Sequence, residues 1–131
     1  RSFLGSPATA RSAGTLAAPA PTPRAWWWRK ADFIYDADSY ADDLPYYDTT
    51  WGKPQLILPY TLDTNDMRFA AVQGFNTGEH FFNYVRDAID ALRLEGETCP
   101  KMLSIGLHCR IVGRPARIGA LRKILDYVTG L

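Results

Sequence analysis

His108 closes an apolar run, KMLSIGLHC, and opens a basic one that carries Arg110 and Arg114. Two further polar clusters have a similar setting. Thr61, Asp63, Asn65, Asp66 and Arg68 follow the apolar run QLILPYT, while Asp36, Asp38, Asp42, Asp43 and Tyr46 end and follow DFIYDADS. Carboxylates, a histidine and arginines that converge on one rim can activate water and stabilise an oxyanion. Each group also has a plainer reading. Loop aspartates form turns and caps, and Arg110, Arg114 and Arg117 can be surface charge. His80 falls where a helix would begin, on a solvated face. Cys109 alternates away from His108 along a strand and reads as core. No His and Cys spacing of the zinc type occurs.

The elements that must position these groups follow from periodicity. DFIYDADS predicts a first strand, and YADDLPYYDTTWGKP a long loop punctuated by Pro45, Gly52 and Pro54. QLILPYT predicts a second strand, apolar on both faces, with Pro59 near its end. NTGEHFFNYVRDAIDALRLEGE is the clearest helix. Phe81, Val85, Ala88 and Leu92 share one stripe, with Phe82 and Ile89 beside it. Asn76 and Glu79 suit a capping box, and Gly96 a C-terminal stop. KMLSIGLHC predicts a third strand. RPARIGALRKILDYV predicts a second helix with Pro115 in its first turn and Ile118, Leu121, Leu125 and Val128 as its buried stripe. Strands alternating with helices predict an α/β fold with parallel strands and right-handed crossovers, whose sites lie at the carboxyl ends of strands. Three strands and two helices are few for such a sheet, so the stretch reads as the last part of a larger α/β unit.

Bulk properties exclude rather than assign. The chain has 131 residues, 47% hydrophobic and 22% charged, which is ordinary globular composition. Its net charge of +1 points to neither nucleic acid nor membrane, and no apolar run reaches membrane-spanning length. Residues 1–30 hold five basic residues and no acid, leaving ten basic against fourteen acidic residues beyond them. Two cysteines, Cys99 and Cys109, suit reduced thiols in a cytoplasmic protein better than a disulfide framework. Residues 1–31, rich in Ala, Pro, Ser, Thr and Arg, are expected to be disordered linker, transit-peptide or out-of-frame sequence, with the folded region at 32–131.

Within that region YDADSYADDLPYY, LILPYTLDTNDMRFA, GFNTGEHFFNYVRDAIDALRLEG and PKMLSIGLHCRIVGRPARIGALRKILDYV closely resemble the C-terminal half of the cofactor-independent allantoinases. These belong to the polysaccharide deacetylase superfamily, with a NodB-type deformed (β/α) barrel. The resemblance runs from about Phe33 to Val128 and rests on long motifs. It implies a hydrolase of carbon–nitrogen bonds that opens the hydantoin ring of allantoin to allantoate, and an incomplete, C-terminal part of the barrel. It also implies roles. Leu107–His108 falls on the superfamily's last motif, whose histidine acts as general acid or hydrogen-bond donor at the scissile amide. Asp42 to Tyr46 falls on a rim motif in which relatives often carry Trp next, where Tyr47 stands here. Asp43 is then expected to orient the histidine or position water, and Tyr46, Asn65, Asp66 and Arg110 to bind the small-molecule substrate. No cofactor is expected. Metal-dependent members use an Asp-His-His triad from earlier strands, outside this stretch. A cytoplasmic, homo-oligomeric parent is expected, with neither nucleic acid nor membrane as partner. The chain by itself is expected to be inactive and poorly folded. An N-deacetylase of sugar polymers and a degenerate, non-catalytic chain are the competing readings.

Trp26, Trp27 and Trp28 end the first region, and no single helix or strand face can bury all three. Tryptophan has one codon, TGG. Shifted by one base, the triplet reads Val-Val after Leu, Val or Met, and the neighbouring codons permit the TGxRPLGWYTGR-type segment that the resembling family carries at this place. Residues 1 to about 31 are therefore expected to be an out-of-frame translation, with the frame restored near Asp32.

Overall fold

The computed structural model describes residues 33–50 and 52–131, and the expectations about residues 1–31 and the three tryptophans lie outside them. The chain divides into two compact units, one ending at Pro59 and the other running from Tyr60 to Leu131. Among the described residues no helix is long and apolar enough to cross a membrane.

The first unit is built on a three-stranded sheet in the order β1-β3-β2. β1 (Tyr35–Asp36) runs parallel to β3 (Gln55–Ile57), pairing Tyr35 with Leu56 and Asp36 with Ile57. The expected first and second strands are thus both present, though short, and β3 stops two residues before Pro59, which has no amide hydrogen to continue a ladder. β2 (Tyr46–Asp48) lies inside the segment expected to be loop and pairs antiparallel with β3. The all-parallel expectation is therefore corrected to a mixed sheet. The cause is local. Asp42 Oδ1 accepts from the backbone N–H groups of Asp43 and Leu44, and Ser39 Oγ shares a hydrogen bond of 2.9 Å with the Tyr46 hydroxyl. Those side chains turn the chain and deliver the β-prone Tyr46 and Tyr47 to the sheet edge. Gly52, at φ 84°, then closes the return to β3 in the left-handed region that glycine alone enters freely.

In the second unit a short 3₁₀ helix (Asp66–Ala70) precedes two α-helices, α1 (Gly78–Gly96) and α2 (Ile118–Thr129). The cap of α1 is Thr77, whose Oγ1 accepts from His80 N at 3.2 Å, so the expected Asn76–Glu79 capping box moves on by one residue. Glu97, in helical geometry, follows Gly96, so Gly96 is the last helical residue and not a stop beyond it. α2 starts three residues after Pro115. The segment from Arg114 to Arg117 forms a tight turn, with both Arg117 N and Ile118 N donating to the Arg114 carbonyl.

Phe75, Phe81, Val85, Val112, Ala120 and Ile124 make the core, with Phe69, Phe82, Ile89, Ile105 and Leu121 packed against it. Phe81 sits at its centre, with ring centroids 5.6 Å from Phe69 and 5.1 Å from Phe75. The expected stripe of α1 is realised at Phe81 and Val85. That of α2 is rotated: Ala120 and Ile124 are buried, while Leu125 and Val128 are exposed. The segment expected as a third strand is reduced to one parallel bridge, Asn65 with Gly106. Gly106 N donates to the Thr64 carbonyl and Asp66 N to the Gly106 carbonyl, and the ladder ends there. Cys109, expected in the core, is exposed, because the chain leaves extended geometry at His108 and turns.

Candidate functional site

The bridge between Asn65 and Gly106 brings two segments of the second unit into register, and the next residues of each make the site. Asn65 caps the 3₁₀ helix, its Oδ1 accepting from Met67 N at 2.8 Å, while its Nδ2 donates to the Tyr60 hydroxyl. Thr64 Oγ1 donates to the Ser104 carbonyl at 2.5 Å. Gly106 is required at this crossing: a Cβ there would stand 2.7 Å from Asn65 Cγ and 3.1 Å from the Tyr60 hydroxyl. Thr64, Asn65 and Asp66 are all fully buried, and none of their buried side-chain polar atoms lacks a partner.

Asp66 is the pivot. Its Oδ2 accepts from His108 N at 2.8 Å and from Val112 N at 3.0 Å, and its Oδ1 lies 2.6 Å from His108 Nδ1. A carboxylate only accepts, so Nδ1 carries the hydrogen, and in the neutral imidazole Nε2 presents its lone pair. The carboxylate is 0% exposed and the imidazole 45% exposed, so a buried acid holds a histidine whose outer nitrogen is open to solvent. His108 is held at the backbone too, its carbonyl accepting from Ile111 N and Val112 N in the turn that follows. That arrangement fixes ring orientation and tautomer together, as a histidine that takes up and gives a proton needs.

The expected site residues divide accordingly. His108 and Asp66 come together directly. Asp66, expected to bind substrate, has both oxygens engaged beneath His108, and it is the carboxylate that meets His108 Nδ1. Asn65, also expected at the substrate, is a buried cap. Arg110 is exposed on the turn, and its carbonyl accepts from Arg114 Nε at 3.2 Å. Asp43 and Tyr46 belong to the first unit, where Asp43 is exposed and Tyr46 sits in β2. Reasoning from sequence missed the contributions of Thr64 and Gly106. The N-cap potential of Asn65 before an apolar stretch was the available signal for the 3₁₀ turn that points Asp66 inward.

The Asp90 carboxylate accepts from the Tyr127 hydroxyl and holds that phenol above its ordinary range, and a hydrogen bond to Glu95 raises Lys101. Among the described residues no group of three or more His, Cys, Asp or Glu side chains could hold a metal ion.

No family model matches the chain. It is 46% identical over 105 residues to a Schizosaccharomyces pombe protein that bears the name polysaccharide deacetylase, an alignment that takes in 72% of this chain and 33% of that one. Among solved structures it is similar to the PuuE allantoinase, with 53% identity and a TM-score of 0.75 over 86% of this chain and 38% of that one. A Pseudomonas aeruginosa PAO1 protein named as a polysaccharide deacetylase gives 57% identity and a TM-score of 0.73 over 82% and 37%. The chain thus spans about a third of the length of each relative.

Proposed function

We propose that this chain, which belongs to the NodB-type polysaccharide deacetylase superfamily, supplies the acid–base histidine of a hydrolase that opens the cyclic amide of allantoin. The observation that carries this reading is the Asp66–His108 pair. Its setting is a fold and sequence similar to a protein named allantoinase. The sheet and helices are read as part of that superfamily's deformed barrel.

The chemistry asked of the pair is limited and balanced. Water adds through oxygen to the ring carbonyl carbon, and His108 Nε2 takes up the proton that the water gives away. The carbon–nitrogen bond then breaks with its electron pair going to nitrogen, and the proton on Nε2 passes to that leaving nitrogen. Asp66 keeps Nδ1–H aimed inward and stabilises the imidazolium that forms between the two steps. Exposed Arg110 is suited to directed hydrogen bonds with a urea-like group. A cytoplasmic setting and a homo-oligomeric parent belong to the same proposal, and the two free thiols are in keeping with the first.

Removal of an acetyl group from an N-acetylated sugar polymer is the second reading, favoured by the names of two relatives. The same pair would serve it, because both reactions break a carbon–nitrogen bond next to a carbonyl. A chimera decides between them. This chain replaces the matching part of the Pseudomonas aeruginosa protein, and allantoin opening and acetate release are assayed side by side. Allantoin opening is expected. Acetate release without it would favour the second reading, and neither activity would remove the functional proposal.

A further inference from the structure

Asp66 reaches its three donors only if the 3₁₀ helix that it begins is held at one orientation. Arg68, two residues on, is tied down at every level. Its carbonyl accepts from Ala71 N at 3.2 Å and from Phe75 N at 3.0 Å. A Cβ at Gly74 would collide with that same carbonyl, so the chain comes back over Arg68 as closely as a glycine permits. Its guanidinium packs against two rings that touch each other, 4.7 Å from the Phe75 centroid and 4.6 Å from that of Tyr84, with the two centroids 5.4 Å apart. Its Nη1 donates to the Asp63 carbonyl at 3.1 Å and lies 3.5 Å from Asp63 Oδ1. The Tyr84 hydroxyl, from α1, donates to that same Oδ1 at 2.6 Å.

We infer that Arg68 is a positioning residue: packed on Phe75 and Tyr84 and tied to Asp63, it fixes the 3₁₀ helix so that the Asp66 carboxylate stays under His108. The side chain spans from the third residue of the 3₁₀ helix back to the loop before it, closing a ring of backbone around Asp66. Its charge is already matched by Asp63 and its guanidinium is packed on two rings, so it is a strut and not a receptor for an anionic ligand. Tyr84 makes α1 the wall against which the strut is braced. Lysine cannot take its place, because an ammonium group has neither the planar faces nor the fork.

The inference rests on the Asp66–His108 reading above, so its test reads the histidine itself and not turnover. Nitrogen-15 spectra of the full chain, taken above the range in which imidazoles titrate, report which ring nitrogen carries the hydrogen. His80, in the first turn of α1, is the internal reference. In the unsubstituted chain His108 should be held as the Nδ1–H form. Arg68→Lys and Tyr84→Leu should each move His108 towards a mixture with the Nε2–H form and leave His80 where it was. Tyr84→Phe, which keeps the ring, should keep most of the original pattern. An unchanged His108 in both Arg68→Lys and Tyr84→Leu would overturn the positioning role while leaving the acid–base pair intact. If one of the two loses its dispersed amide spectrum, the other decides; loss of fold in both would overturn the role too, since Arg68 would then be a general stabiliser. A mixed population in the unsubstituted chain would sink the pair and, with it, anything that positions it.

Discussion

A single carboxylate carries the heaviest duty in the second unit. Asp66 satisfies two backbone N–H groups and one imidazole N–H without any exposure to water. Replacing it by asparagine puts an amide, which also donates, where three donors converge, and frees His108 to adopt the other tautomer. In the chimera, His108→Ala should lower turnover about 10²–10⁴-fold and Asp66→Asn should fall in the same range. Turnover within threefold of the unsubstituted protein for either variant would take that residue out of the mechanism. His108 was legible in the sequence, because it stands where an apolar run meets a polar one. The role of Asp66 was not, because nothing in a run of Asp63, Asn65 and Asp66 says which of them turns inward. That choice is made by the Asn65 cap and by the bridge to Gly106, both products of pairing over long separation.

Helices and strands were legible to different depths. α1 has a strong pattern, and its inner face, Phe81 and Val85, is the one its periodicity predicts. α2 is amphipathic, but its apolar arc covers about half the circumference and takes in Ala120, Ile124 and Leu121 as well as Leu125 and Val128, so packing against α1 selects Ala120 and Ile124 within it. Stability measurements separate the two stripes. Ile124→Ala should cost about 2–5 kcal/mol in chemical denaturation, as truncation of a buried isoleucine does. Leu125→Ala, 56% exposed, should change stability by less than about 0.5 kcal/mol. The reverse order would restore the stripe expected from sequence. β2 escaped notice because its three residues owe their extended form to side chains that turn the preceding loop. The two helices are also joined by Lys123 with Glu79 and by Tyr127 with Asp90. The hydrogen bond to Asp90 raises the Tyr127 pKa, so the link is complete at neutral pH and is lost as pH rises through the folded-state value. An absorbance titration should show Tyr127 ionising later than an ordinary tyrosine and Asp90→Asn removing the delay; equal curves would dismiss the link.

For the molecule as a whole, the proposal that residues 1 to about 31 are read out of frame is decided by the nucleotides that encode them. The shifted frame should encode a Gly-Trp-Tyr-Thr-Gly-Arg segment, and its absence would leave a linker or transit peptide as the explanation. The second unit has a topological property of its own. Thr64 meets Ser104 across 40 positions, Asp66 meets His108 and Val112 across 42 and 46, and Glu79 meets Lys123 across 44. The separation is nearly constant, so all of these contacts are closed by bringing together the same two stretches of chain. The entropic cost of closing a loop grows only with the logarithm of its length and is met once for the whole set. The Asp66–His108 pair and the helix pair should therefore open together. In native-state hydrogen exchange, the amides of Asp66 and Val112 should share one opening free energy with those of Val85 and Ile124. A markedly easier opening at Asp66 and Val112 would mean that the pair frays independently of the helices.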